Sequence, residues 1–393
     1  MKLIDKKNMS VTIGVAFVWF TTQFGGGFAS GAQLFQYFIA FGIWTLITPI
    51  IAQCLSAVYQ WYALRFAHRN KTYDYRSFNN RFYGKFAPVF SNLYEVVYFV
   101  LLCIAPSVAF ATGGATMAAL TGIPYIICTL IIGVFIFFVA IYGTDIVRKA
   151  AATLSVLIVV GLLIVYIPNI IAQWGSITET IKVMADNPAP AGPALWKSFL
   201  YFSFQLASIG LFVQHAKPFT SDDDAKKSMI YGLIVNIGII SLCTVGMLAI
   251  ATNPELGNVS VPILLLVKNG VGSTFMLPII SLLIVLGAVS TAVNMIAGVV
   301  NRVTSQFSKE EAVSADSNKP SKLGVITTFV FVVMAFGIAQ FGLIPLVAKG
   351  YGYLGYITIA VVVIPFTIHM VMSLLGLLNK SEVLEDKTEK IAR

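Results

Sequence analysis

Three features of the chain predict an all-α membrane protein of ten transmembrane helices: its apolar composition, its division into runs of bilayer length, and the one-sided placement of its positive charge. Of 393 residues, 58% are hydrophobic and 11% charged. A soluble domain carries about 25% charged residues because it must cover its surface with them, so lipid is the main solvent here. A hydrocarbon core about 30 Å thick is crossed by roughly 20 apolar residues of helix, and such runs follow one another from Ser10 to Leu378. The first stretch, Ser10 to Leu64, is too long for a signal-peptide core and reads as two mature helices.

Charges, Pro/Gly pairs and polar clusters punctuate the chain. The first span, Ser10 to Ala40, follows Lys6 and Lys7, and the second, Gly42 to Leu64, stops at Arg65. Pro88 to Leu120 and Pro124 to Tyr142 each open on a proline, which suits the first turn of a helix. Ala150 to Ala172 follows Arg148-Lys149, and Ala194 to Gln214 follows the proline-rich NPAPAGP. Met229 to Ala251 begins after Lys226-Lys227, and Thr274 to Thr304 after a glycine-containing turn. Leu323 to Phe341 and Tyr351 to Leu378 complete the set.

An even number of spans puts both termini on one side. With the N-terminus cytoplasmic, inner segments hold 22 of the 26 Lys and Arg, leaving Lys182, Lys197, Lys268 and Lys349 outside. Positive residues of short loops are retained in the cytoplasm, and a miscounted helix would scramble this partition. The expectation is a multi-pass protein of the cell (inner) membrane with both termini cytoplasmic. The net charge of +9 then reflects topology, with the lipid bilayer as partner and no nucleic acid. The basic, aromatic stretch from Phe66 to Lys85 suits either an interfacial helix on anionic lipid heads or a plain positive-inside loop. Residues 1–393 read as one transmembrane domain, with Ser308 to Ser321 and the cytoplasmic tail 379–393 polar and flexible. Oligomeric state has no signature in the sequence.

Helix starts expose a repeat. The first and third spans start 78 residues apart and the sixth and eighth 80 apart, and the third and eighth are both long, at 33 and 31 residues. Two units of five helices, about 10–172 and 194–378, must enter the membrane from opposite sides, the inverted-repeat construction of many secondary transporters. The first span, as one straight helix, would reach about 46 Å, beyond the hydrocarbon core. In its middle stand Gly25, Gly26 and Gly27, each costing about 1 kcal/mol of helix propensity against alanine. An unwound segment there must line a cavity or be buried in protein. A packing face through Gly27 and Gly31 accounts for small residues four apart but not for three in a row. The half-helix starting near Phe28 would aim its amides at an anionic group, so the solute-binding candidates on this helix are Gly25, Gly26, Gly27, Phe28, Ala29 and Ser30. By symmetry the sixth helix contributes Phe204, Gln205 and Ser208, although serines also back-bond within unbroken helices.

The segment Gly25-Gly26-Gly27-Phe28-Ala29-Ser30-Gly31-Ala32-Gln33 resembles the glycine-rich G-x-G-F-A-S-G-Q/A-E segment of YkvI-type bacterial membrane proteins. These are grouped with the amino acid-polyamine-organocation transporters of the leucine-transporter fold. The resemblance is sharp over Gly25 to Gln33 and architectural elsewhere. It implies ten helices in a 5+5 inverted repeat, with helices 1 and 6 broken around a central site. It names no substrate, and Gln33-Leu34 stands where relatives carry a glutamate. Gly287-Ala288-Val289-Ser290-Thr291 resembles the segment by which sodium-coupled members complete a sodium site. The implied ligands are the carbonyls of Thr21, Phe24 and Gly287 and the hydroxyls of Ser290 and Thr291, oxygens that suit a hard cation. Ser-Thr pairs also serve plain helix packing.

Ionisable groups inside the membrane are few. Glu95, flanked by Tyr94 and Tyr98, is placed either to pair with Arg81 or Lys85 or to act as a proton-coupling site. An enzyme is not indicated: His68, His215 and His369 lack metal-ligand spacing, and no catalytic residues or cofactor emerge beyond a sodium coupling ion. The expected function is secondary active transport of a small organic solute, an amino acid or related carboxylate, coupled to sodium. The alternatives are a proton-coupled carrier of an amine or nucleobase-like solute, and a non-transporting sensor on the same fold.

Overall fold

The computed structural model describes residues 9–142, 144–307 and 321–377. The tail 379–393 and most of the Ser308 to Ser321 loop lie outside the described residues. Every regular element among the described residues is helical. The first expected span is broken into α1 (Met9–Gln23), α2 (Gly26–Ala29) and α3 (Ala32–Tyr37), and α4 (Thr48–Asn70) supplies the second. The chain kinks at Phe41 and Gly42 (φ 64°), and the 3-10 stretch Ile39–Leu46 meets α4, which carries Pro49 in its first turn, at 74°. α5 (Tyr75–Tyr83) falls within the basic, aromatic stretch; the Asp74 carboxylate caps it by accepting from Ser77 N–H. Its Phe78 and Phe82 are buried against Phe66, Phe366 and His369, so this helix packs on the protein.

α6 (Ala87–Thr121), at 35 residues, and α7 (Tyr125–Tyr142) follow, then α8 (Thr144–Ala172) and α9 (Trp174–Asp186), bent 77° from it. The second half runs α10 (Ala191–Gln205), a 3-10 turn Leu206–Ser208, α11 (Ile209–Phe212), α12 (Asp222–Met247), a short α13 (Pro262–Lys268) and α14 (Ser273–Phe307), also 35 residues. α15 (Lys322–Ala339), α16 (Leu343–Pro345), α17 (Tyr351–Thr358) and α18 (Ile364–Leu374) end the fold, the last three joined by π-helical turns. Both halves thus place a broken helix, a long helix, a short helix and a 35-residue helix in the same order.

Among the described residues, six helical stretches are long and apolar enough to cross a membrane, or eight if each bent pair is one span. Neither α1–α3 nor α10–α11 passes that test, because each is interrupted. The elements associate in two groups. α1, α4, α10 and α12 pack together, as do α6, α7, α14 and α15, with α8 against α12 and α14 and α17 against α10.

Charged residues mark both ends of the bundle. Arg65 and Arg69 of α4 both donate to the Asp222 carboxylate at the start of α12, with Arg65 Nε at 3.1 Å. At the other end, Ser198 Oγ of α10 donates to Thr48 O at 2.6 Å, Lys197 lies over the Tyr37 ring, and Tyr37 Oη donates to Val347 O. Lys197 and Lys349 therefore share the end opposite the Arg–Asp clamp.

Candidate solute and cation site

The α1 ladder ends with Phe24 N–H donating to Phe20 O (2.9 Å) and resumes with Phe28 and Ala29 N–H donating to Gly25 O (both 3.0 Å). The carbonyls of the last turn of a helix have no partner within it, so this break exposes those of Thr21 to Phe24. The cause of the glycine run differs from the expected one. None of Gly25, Gly26 and Gly27 has a positive φ; the left-handed residue is Gly31, at φ 82°. The three are required by close approach. A Cβ on Gly26 would stand 3.0 Å from the Ala288 Cβ and 3.1 Å from its Cα, and one on Gly27 would stand 3.1 Å from both Gln33 Nε2 and Val108 Cγ1. The bare backbone of the break is therefore pressed between α6 and α14.

The sixth helix is not unwound. It tightens into the 3-10 turn Leu206–Ser208 and continues as helix. Tyr94 of α6 inserts there: its hydroxyl donates to Ala207 O at 2.8 Å and accepts from Gly210 N–H at 2.9 Å. One side chain thus satisfies a carbonyl and an amide at the distortion. A Cβ on residue 210 would come within 2.9 Å of Tyr94 Cζ, which accounts for the glycine.

A cavity of about 50 Å³ lies between these two distortions. Of the nine expected solute residues, Gly25, Gly26, Gly27, Phe204, Gln205 and Ser208 line it. Phe28, Ala29 and Ser30 do not. Phe28 packs edge-on against Phe24 at 4.2 Å, Ala29 is buried, and Ser30 Oγ donates to Gly27 O while its carbonyl accepts from Ile263 N–H of α13. Sequence reasoning passed over Gln23 and Gln33 as lining residues, along with Tyr351. The two glutamines flank the glycine run, and amide side chains in an apolar span were a legible signal. Tyr351 comes from the tenth span and stacks on Phe204 at 4.6 Å, which no local pattern announced.

Of the expected cation ligands, Thr291 reaches the break. Its Oγ1 lies 3.2 Å from where a Gly25 Cβ would stand, and it donates to Gly287 O at 2.9 Å. Thr21 Oγ1 donates back to Val18 O, so only its carbonyl is directed along α1 toward the break. The Phe24 ring is buried and stacked on Phe20. Ser290 is half-buried and does not line the cavity. Behind the cavity, Asn236 of α12 donates to Gln23 Oε1 (3.5 Å) and Gln53 Oε1 (3.3 Å), tying the end of α1 to α4 and α12.

Glu95 of α6 stands apart from the cavity, facing α5. Arg76 donates to it at 2.9 Å and the Tyr75 hydroxyl at 3.0 Å. The sequence pointed to Arg81 or Lys85; the turn before α5 also brings Arg76 to Glu95, and Arg81 Nε donates to Asn70 Oδ1.

A broken helix pressed against a long neighbour, beside a cavity that its glycines and two glutamines line, belongs here to a polytopic α-helical membrane fold. The chain is similar to the solved structure of a Na+-coupled sialic acid symporter in its substrate-bound outward-open state, with 14% identity over 92% of this chain and 97% of that one and a TM-score of 0.52. A manganese transporter of Eremococcus coleocola, solved with an aromatic bis-isothiourea compound, matches at 14% identity over 98% of this chain and 92% of that one, with a TM-score of 0.45. No family model and no curated protein matches the chain. The first likeness shows a shared all-α membrane fold.

Proposed function

We propose that this protein is a secondary active transporter of an amino acid or related small carboxylate, driven by sodium and working by alternating access. The observation that carries the proposal is the juxtaposition of the α1 carbonyl end with Thr291 of α14 beside the cavity. Thr21, Phe24, Gly287, Ser290 and Thr291 are the proposed sodium ligands, neutral oxygens in a dehydrated place. Gly25, Gly26, Gly27, Phe204, Gln205 and Ser208 are the proposed solute contacts. The cavity has room for only a few waters, so an organic solute enters as the two helix groups part. Movement of the α1/α4/α10/α12 group against the α6/α7/α14/α15 group supplies that opening, with residues of about 10–172 and 194–378 as the two inverted repeats. The resemblance of Gly25 to Gln33 to YkvI-type proteins supports the same reading, as does the charge partition for a cell-membrane protein with cytoplasmic termini.

Glu95 is the coupling residue of the competing, proton-driven reading. Its ion pair with Arg76 and its place outside the cavity lining favour sodium. The test is solute binding titrated against sodium, with choline holding ionic strength constant. Sodium should tighten solute binding, and Ser290→Ala with Thr291→Ala should weaken both affinities together, because coupling between sites is reciprocal. Binding indifferent to sodium, or uptake into proteoliposomes that follows a proton gradient, would replace this mechanism with the one through Glu95. Absence of any flux would leave a sensor.

A further inference from the structure

Three amide atoms around the cavity, Gln33 Oε1, Gln205 Nε2 and Gln23 Nε2, make no hydrogen bond of ordinary geometry within the protein, although the Gln205 amide lies near the Tyr201 hydroxyl. Their residues are 4%, 8% and 3% exposed, and all three line the cavity. Buried polar atoms are paired with protein, water or ligand, and within a bilayer the demand is stricter. The set comprises one acceptor and two donors. A plain carboxylate is acceptor-only and would leave Gln33 Oε1 unmatched; a plain ammonium is donor-only and would leave the Gln23 and Gln205 amides unmatched. A solute with both groups matches all three.

Gln33 is held for this task. Its amide lies over the bare Cα of Gly27, where any Cβ would stand 3.1 Å from Nε2. α3 starts after the left-handed Gly31, and that turn sends Gln33 back toward the break. Among the described residues the lining contains no Asp, Glu, Lys or Arg, so no fixed charge there selects for the opposite charge.

We propose that Gln33 and Gln205 form a neutral clamp that selects α-amino acids: Gln33 Oε1 accepts from the ammonium, and the Gln205 and Gln23 amides donate to the carboxylate. This rests on the amino-acid reading above and narrows it, excluding carboxylic acids that lack the amine. The apolar part of the lining, with Leu101, Ala105 and Val108, suits an aliphatic side chain.

The experiment measures binding to the purified protein in nanodiscs with sodium present, using L-leucine, its deaminated analogue 4-methylpentanoate and its decarboxylated analogue isopentylamine. The parent should bind leucine at least about tenfold more tightly than either analogue, since a site built around hydrogen bonds rejects solutes that leave its polar groups unpaired. Gln33→Met, close in volume, should lose about tenfold or more in leucine affinity and retain 4-methylpentanoate binding. Gln33→Glu should gain affinity for isopentylamine, a gain that misfolding cannot produce. If the parent prefers leucine but Gln33→Met keeps that affinity within twofold, or Gln33→Glu gains nothing for the amine, the clamp is overturned while the amino-acid reading stands. If the folded parent binds none of the three, or binds the acid as well as leucine, the clamp is overturned too, and in the first case the amino-acid reading falls with it.

Discussion

Tyr94 and Gly26 show how single residues maintain a distorted helix inside a membrane. The Tyr94 hydroxyl is partner to both Ala207 O and Gly210 N–H, and removing it strands two buried backbone groups. A buried polar group left unpaired costs about 1–3 kcal/mol, so Tyr94→Phe should destabilise the protein by at least about 2 kcal/mol in denaturant titration in detergent. An effect under about 0.5 kcal/mol would mean that other groups or water already serve the turn. Gly26 meets Ala288 so closely that Gly26→Ala overpacks the contact, at a cost of about 1–3 kcal/mol. Combining it with Ala288→Gly should recover part of the loss. Residues in contact are expected to show coupling of 0.5 kcal/mol or more in a double-mutant cycle, and strict additivity would show that the two do not press on each other.

At the scale of elements, the two broken helices are stabilised by different means. The first is interrupted outright, and close approach by α6 and α14 holds its backbone; the sixth is tightened by one 3-10 turn and leaves helical dihedrals at Ser208 (φ −88°, ψ 3°). In the sixth helix Ser203 Oγ and Ser208 Oγ donate back to Phe199 O and Gln205 O, a back-bonding that bends a helix without breaking it. Between α4 and α12, the Arg65–Asp222–Arg69 cluster joins two helices of one group, with side chains 31–34% exposed. Solvent screening limits its worth to about 1 kcal/mol. Asp222→Asn should therefore lower thermal stability modestly at low salt and by less at high salt; a loss that ignores salt would assign the contact to packing instead.

For the molecule as a whole, the four lysines expected outside provide a test of orientation. Cysteines placed at Asn187 or Asn258, both exposed, should react with a membrane-impermeant maleimide on intact cells, and one at Lys85 only after permeabilisation. Asn79 would be a poor inner reporter, because it is 1% exposed against the core. Outside labelling at Lys85 would reverse the topology and with it the inverted repeat.

Composition and charge placement were enough to read an all-α membrane protein, because lipid leaves the backbone no partner but itself and short loops keep their positive charge on one side. The glycine run marked the place of the break for the same reason: three such residues in a row are not tolerated in an ordinary helix without a cause. Only the tertiary structure decided what that cause is. Close approach by Ala288, Val108 and Gln33 depends on helices distant in sequence, and no local pattern records which side chains will meet. Tyr94 at the sixth-helix turn, the Arg76 contact to Glu95, and the exclusion of Phe28, Ala29 and Ser30 from the cavity follow in the same way from packing between distant parts of the chain.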